Sequence, residues 1–185
     1  LSRQRRRADY FCGNDPVLLL STNRPQELDP NRAEKVRMTA EFNRQRVLNH
    51  LDVFYSGDIE TALARCTDDI AFTANAPVDL LPHMGHRQGK AAMREMWTTI
   101  HSRYSDMRYE VPIAVAEGDK VAAHIRVFFR KRGNRRMVQF DIASFFTLRD
   151  GLIAEIREII DTFDLVEQVL ERDVSGILTG KPEAS

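Results

Sequence analysis

The sequence predicts an α+β fold, with a curved antiparallel sheet wrapped around helices and a conical pocket between them. Three observations predict it. Apolar residues recur at helical spacing in the earlier part of the chain, as in Val36, Ala40, Val47, Leu48, Leu51, Phe54 and Tyr55. Further on they alternate singly, in successive runs that end near Ile160. The joints between the last three runs, Lys131-Arg132-Gly133-Asn134 and Arg149-Asp150-Gly151, carry the Gly and Asn that tight hairpins need for positive φ. Helices gathered ahead of an antiparallel meander cover one of its faces.

A chain of 185 residues suits one domain with extensions: a domain over 29–172, an N-terminal arm over 1–28 expected to be mobile, and a polar tail over 173–185. A hydrophobic fraction of 43% supports a sizeable core. Lys+Arg equals Asp+Glu at 27 each, so the overall charge points to neither nucleic acid nor an acidic membrane surface as partner. No apolar run approaches the roughly 20 residues of a membrane span. The apolar run at 17–20 is far short of a signal-peptide core, and a cytoplasmic location is the expectation. Cys66 falls on an apolar helix face and reads as a buried thiol, and with Cys12 it makes neither a disulfide framework nor a metal site. The basic run Arg3, Arg5, Arg6 and Arg7 reads as part of the arm rather than as an anchor.

Asp29-Pro30 announces the first helix as N-cap and first helical residue, and Ser56-Gly57 ends it. A short second helix follows from Asp58, with Ile59, Ala62, Leu63 and Cys66 inward. Ile70, Phe72 and Ala74 alternate as a strand. The irregular stretch 75–89, with Pro77, Pro82, Gly85 and Gly89, has the length of a pocket rim or lid. A third helix over about 90–104 buries Met93, Trp97, Ile100 and Tyr104. Met107, Tyr109, Val111, Ile113 and Val115 then alternate, with Pro112 marking an edge or a bulge. Strands over 121–130, 136–148 and 152–160 complete the meander, and Phe163, Val166, Val169 and Leu170 suggest a terminal helix.

Four ionisable residues, His124, Arg126, Asp141 and Glu158, interrupt the apolar strands. Glu158 shares strand parity with Leu152, Ala154, Ile156 and Ile160, as an interior residue would. A carboxyl in an apolar pocket has its pKa raised toward neutrality, which suits proton transfer. Each of the four also has a plainer reading: Glu158 as a salt-bridged sheet residue, Asp141 as counter-ion to Arg126 or His124, His124 as a satisfied structural group. Tyr55, His83, Met84, Trp97, Phe128 and Phe145 are the candidates for ligand contact. His50 and His101 read as helix-surface residues. Pro82 and Gly85 break the spacing that Asp79, His83 and His86 would need for a zinc motif, so no metal is expected. The basic cluster Arg130, Lys131, Arg132, Arg135 and Arg136 lacks interleaved aromatics and reads as a solvated hairpin end.

Four motifs in order carry a resemblance: Phe54-Tyr55-Ser56-Gly57-Asp58-Ile59; Thr67-Asp68-Asp69-Ile70-Ala71-Phe72; Gly85 with Gly89-Lys90-Ala91-Ala92-Met93; and Asp150-Gly151-Leu152-Ile153 leading to Arg157-Glu158-Ile159-Ile160-Asp161. Over about 33–170 the chain resembles the nuclear-transport-factor-2-like cone fold, in its SnoaL-like and ketosteroid-isomerase-like branch. The resemblance implies a pocket between helices and sheet, a small-molecule ligand, a homodimer through the exposed sheet face, and no cofactor. It also implies an interior acid at Glu158. The chain departs from the epoxide hydrolases of this fold, whose Arg and Asp two residues apart are replaced by His124 and Arg126. It departs from the steroid isomerases too, since Thr73-Ala74-Asn75-Ala76 has no carboxylate and Ala143 stands nearest their second aspartate. The expected function is acid–base proton transfer of isomerase or cyclase type on an apolar oxygenated substrate. Glu158 and Asp141 would be acid and base, with His124 and Arg126 orienting them or stabilising an oxyanion. The alternative is a non-catalytic ligand-binding or dimerisation module whose charges form a structural network.

Overall fold

The computed structural model describes residues 30–171 and 173–180. Expectations for the arm over 1–28, for Cys12 and for the Asp29 cap lie outside them. Helix α1 (Pro30–Ser56) stops at Gly57, whose φ of +93° a side chain would resist. Helix α2 (Ile59–Ala64) is capped by Asp58, whose carboxylate accepts from the Thr61 N–H at 3.0 Å. Strand β1 (Cys66–Ala74), the two-residue β2 (Arg87–Gln88) and helix α3 (Gly89–Arg103) follow. Then come β3 (Tyr104–Glu117), β4 (Lys120–Lys131), β5 (Met137–Arg149), β6 (Leu152–Ile160), α4 (Thr162–Leu170) and α5 (Val174–Thr179).

The six strands form one sheet in the order β2-β1-β6-β5-β4-β3. Neighbours are antiparallel except β1 and β6, which run parallel, so the sheet is mixed rather than wholly antiparallel. Its inner face is apolar: Val121, Ala123, Ile125, Val127 and Phe129 from β4, and Val138, Phe140, Ile142, Phe146 and Leu148 from β5, are all buried. Val47 and Leu51 of α1 and Met93, Met96 and Trp97 of α3 pack into the same core. Burying each large apolar side chain contributes about 1.5–3 kcal/mol, so this layer is the main source of stability. Asn43, itself 5% exposed, donates from Nδ2 to the Gly118 carbonyl at 2.8 Å and ties α1 to the β3–β4 turn.

Two bulges alter the strand parity read from the sequence. On β3 the register shifts between Glu110 and Ile113, at Pro112, so Ile113 and Val115 turn outward while Ala114 and Ala116 turn in. On β6, Thr147 pairs with Glu155 but Leu148 pairs with Ile153, so the strand holds one extra residue. Ile153 is therefore buried and Leu152 exposed, and of the four expected companions of Glu158 Ile156 and Ile160 are buried inward. The tail from Asp173 contains the helix α5, capped by the Asp173 carboxylate on the Gly176 N–H at 2.6 Å.

Candidate active site

A cavity lies between α1, α3, the stretch after β1 and the inner face of β4–β6. Its free volume is about 90 Å³, less than the roughly 150 Å³ of a cavity known to hold benzene. Phe54, Trp97, Phe129 and Phe140 form much of its wall. The Phe54 and Trp97 rings lie 5.3 Å apart, and Phe129 meets Phe140 edge-on at 5.8 Å.

Glu158 is the carboxylic acid on this wall. It is brought there by β6, with Ser144 directly across on β5 and Ala74 paired with it on β1. Ser144 is fully buried and donates its hydroxyl to Glu158 Oε1 at 3.2 Å. Burial pushes the Glu158 carboxyl up to about 7, against the pull of the Ser144 hydrogen bond. Glu158 keeps partial accessibility and lines the cavity. Two residues on, the Ile160 N–H donates to Asn75 Oδ1 at 2.8 Å and Asn75 Nδ2 donates back to the Ile160 carbonyl at 3.4 Å. That pair fastens the start of the 75–86 stretch to the strand carrying the acid.

Of the residues named as candidates for ligand contact, Tyr55, His83, Met84 and Trp97 line the cavity. Tyr55 stacks on Tyr109 at 4.5 Å, and Tyr109 donates its hydroxyl to the Asp52 carboxylate. Burial, reinforced by the negative charge of Glu158, raises the Tyr55 pKa well above its ordinary value, so its phenol stays protonated. His83 and His86 diverge: His83 faces the cavity, whereas His86 Nδ1 lies 3.3 Å from Thr73 Oγ1. Among the described residues no three His, Cys, Asp or Glu side chains group as metal ligands.

Asp141, His124 and Arg126 are not in this cavity. They stand on the opposite face of the sheet, with Phe128 and Phe145, so neither phenylalanine is a cavity residue. Arg126 pairs across strands with Asp141, donating from Nε to Oδ1 at 2.9 Å and from Nη2 to Oδ2 at 3.3 Å. His124 Nε2 lies 3.0 Å from Asp141 Oδ2. The Arg126 hydrogen bond holds the Asp141 carboxyl below its ordinary pKa. The physical reason for the correction is parity. In β4 as far as Arg130, and in β5, the charged residues occupy the alternate that faces out, and the uncharged alternate faces the core.

Two polar residues of the site were not anticipated. Ser144 lies in a strand where nothing but its inward parity distinguishes it. His50 lies on the cavity wall and is 2% exposed, not on the helix surface. Its spacing to Val47 and Phe54 places it on the buried face of α1, which was the available signal. His101 is likewise packed, edge-on to the Phe54 ring at 5.2 Å.

The family model for a SnoaL-like domain matches residues 47–156, more than half of the chain. The chain belongs to the SnoaL-like family. Among solved structures, it is similar to a protein from Rhodopseudomonas palustris provisionally assigned as an isomerase, at 32% identity over 60% of this chain and 82% of that one, with a TM-score of 0.57. It is similar also to an NTF2-like protein from Burkholderia xenovorans LB400, at 25% identity over 70% of this chain and 97% of that one, TM-score 0.58. The fold is shared by an LEH-like epoxide hydrolase from M. tuberculosis, at 16% identity over 77% of this chain and 98% of that one, TM-score 0.59. No curated protein matches the chain. This SnoaL-like chain thus has the cone fold that its motifs implied.

Proposed function

We propose that this SnoaL-like protein is a small-molecule enzyme that moves a proton within an apolar, oxygenated substrate, in the manner of an isomerase or cyclase. The observation that carries this is the Glu158 carboxyl, buried on an apolar cavity wall and poised near pH 7. A group at that pKa can take a proton from carbon beside a carbonyl and return it elsewhere on the same molecule. The balance closes on one residue: the carboxylate accepts the proton as the enolate forms, and the carboxylic acid gives it back as the enolate collapses. The protonated Tyr55 hydroxyl on the same wall is the donor for the developing oxyanion. Asp141, His124 and Arg126 have no part in this step. Their ion-pair cluster and the exposed Phe145 and Ile159 beside it belong to a face through which two copies associate.

The test is isomerisation of cyclohex-3-en-1-one and larger β,γ-unsaturated ketones to the conjugated enones, followed by absorbance. Wild type turns over a member of the panel, and Glu158→Gln loses about 10²–10⁴-fold in kcat while still binding. Unimpaired turnover by Glu158→Gln would end this reading. The cavity of about 90 Å³ favours a second reading, a binding module for small ligands. That reading is supported if probes bind but none is converted.

A further inference from the structure

One side of the cavity adjoins a patch of positive charge that the proton-transfer step does not use. Of the lining there, His83 and Met84 from the 75–86 stretch and Ile100 and Tyr104 from the end of α3 keep partial exposure, whereas Phe129, Phe140 and Leu165 are buried. Arg87 comes just after the first pair in sequence, and Arg103 directly precedes Tyr104. Both arginines reach His83. Burial first, then the charges of Arg103 and Arg87, lowers the His83 pKa, and no carboxylate is among the charges that act on it. Burial raises the Tyr104 pKa, and Arg103 draws it back.

Among the described residues neither arginine enters an ion pair. Arg87 donates from Nη2 to the Pro82 carbonyl at 2.6 Å and from Nη1 to the His86 carbonyl at 2.9 Å, neutral partners that fix the guanidinium and leave its charge unmatched. Arg132 adds a third positive charge, with its backbone N–H donating to the Arg103 carbonyl at 2.9 Å. The end of α3 accounts for Arg132, whose Nε donates to the His101 carbonyl at 3.2 Å, as a cation at a helix C-terminus does. It does not account for Arg103, whose exposed side chain bonds to none of the described residues. Like charges gathered at the edge of an apolar cavity repel one another, and an anion relieves that repulsion.

We propose that the ligand carries a carboxylate, which Arg87 and Arg103 hold at the edge of the cavity while its apolar part enters. The planar guanidinium fork matches a carboxylate. Only the tail has to fit the free volume of about 90 Å³, and a short aliphatic tail is smaller than the benzene that a cavity of roughly 150 Å³ holds. The substrate class of the proposed function is thereby narrowed from neutral ketones to oxo acids. This rests on the cavity being the ligand site, and not on Glu158 moving a proton.

The experiment compares pentanoate with pentanamide, which have nearly the same shape and differ by one charge. Dissociation constants are read at about pH 8, where the acid is ionised, from the indole N–H resonance of Trp97. Wild type binds pentanoate roughly tenfold more tightly than pentanamide. Arg103→Gln lowers that ratio roughly threefold, and Arg103→Glu abolishes the preference. Arg135→Gln, which removes a charge from the hairpin tip, leaves the ratio as it is. In wild type alone the ratio shrinks as salt rises from about 0.05 to about 0.5 M, because the edge is open to solvent; this arm stands should the Arg103 variants fail to fold. Equal affinity for the two probes in wild type overturns the proposal and leaves the proton-transfer reading standing. A preference that survives Arg103→Glu, that ignores salt, or that falls as much in Arg135→Gln as in Arg103→Gln overturns it too. Binding of neither probe rejects it. Unimpaired turnover by Glu158→Gln with the preference for the acid intact ends the proton-transfer function and leaves this inference standing.

Discussion

Asp141 and Glu158 stand on neighbouring strands of one sheet and on its opposite faces. Ser144 lies directly across from Glu158 and both turn inward, so Asp141, three residues earlier on the same strand, turns outward. Two carboxyls that look like a catalytic pair in the sequence thus experience opposite environments. One is desolvated and shifted up to about 7, whereas the other is half-exposed, held by an arginine and shifted down.

The desolvation of Glu158 makes stability depend on pH in the direction unusual for a carboxylate. Its folded pKa of about 7 exceeds its ordinary value of 4.5, so between those values the folded chain binds the proton and the unfolded chain has lost it. Stability attributable to this group is greatest below about pH 4.5 and falls as pH rises to about 7. Glu158→Gln has no charge to desolvate. Relative to wild type it gains about 3 kcal/mol across that window, measured by urea unfolding at about pH 4.5 and about pH 8. A constant difference between the two proteins at both pH values would contradict the assignment.

Ser144 holds the Glu158 pKa lower than burial alone would set it. Ser144→Ala removes the hydroxyl with little change of volume, so the Glu158 pKa rises further, by about one unit. The acid limb of kcat/KM against pH, which the ionisation of this base sets, moves to the alkaline side by the same amount, while kcat on the plateau changes little. An unmoved profile with normal folding would show that the hydroxyl does not tune the acid.

Asp141→Asn leaves the pH profile of turnover unchanged, because the residue does not face the cavity. The cluster it forms with His124 and Arg126 is solvent-accessible, and pairs of that kind contribute about 0–1 kcal/mol. A loss of turnover with an unchanged oligomeric state would return Asp141 to the site.

The outer face is tested by Phe145→Lys. Phe145 is 48% exposed, and Ile113, Val115 and Ile159 are similarly open on the same side of the sheet. If two copies associate there, one lysine buried against its own symmetry mate disrupts the pair. Sedimentation velocity then reports a dimer for wild type and a monomer for the variant. A monomeric wild type removes the dimer from the proposal.

Much of the fold was legible because the signals were local. Helical spacing in α1 and α3, the Asp58 cap and the two Gly-bearing hairpins each report on neighbouring residues alone. The site was legible only in part, because it depends on which alternate of each strand faces in. In β5 both alternates carry aromatics, Phe140 and Phe146 inward and Phe145 outward, so hydrophobicity could not choose between them. In β4 the choice was available: Val121, Ala123, Ile125, Val127 and Phe129 form an unbroken apolar set, and the charges of His124 and Arg126 mark the other side. Taking those charges as misplaced interior groups, rather than as the exterior, moved Asp141 to the wrong face. The bulges at Pro112 and in β6 break parity without a sequence signal strong enough to fix their register.

The cavity is too small for a drug-sized ligand, and if one is admitted by the wall that carries His83 and Met84, that wall has to give way. That wall is held by short turns: Leu81 N–H to the Pro77 carbonyl at 2.9 Å, and Met84 N–H to the Leu81 carbonyl at 2.9 Å. At its end Gly85 adopts φ +95°, and a Cβ there would stand 2.7 Å from Val78 Cγ1. Gly85→Ala is therefore strained twice, by backbone conformation and by the contact with Val78. It costs about 1–2 kcal/mol in stability and loosens the segment that closes the cavity. Ligand dissociation accelerates more than association, since the open form gains at the expense of the closed one. Stopped-flow measurement with a Trp97-quenching ligand separates the two rates. Unchanged rates in a destabilised variant would mean that the 75–86 stretch is a fixed wall, and that ligands enter elsewhere.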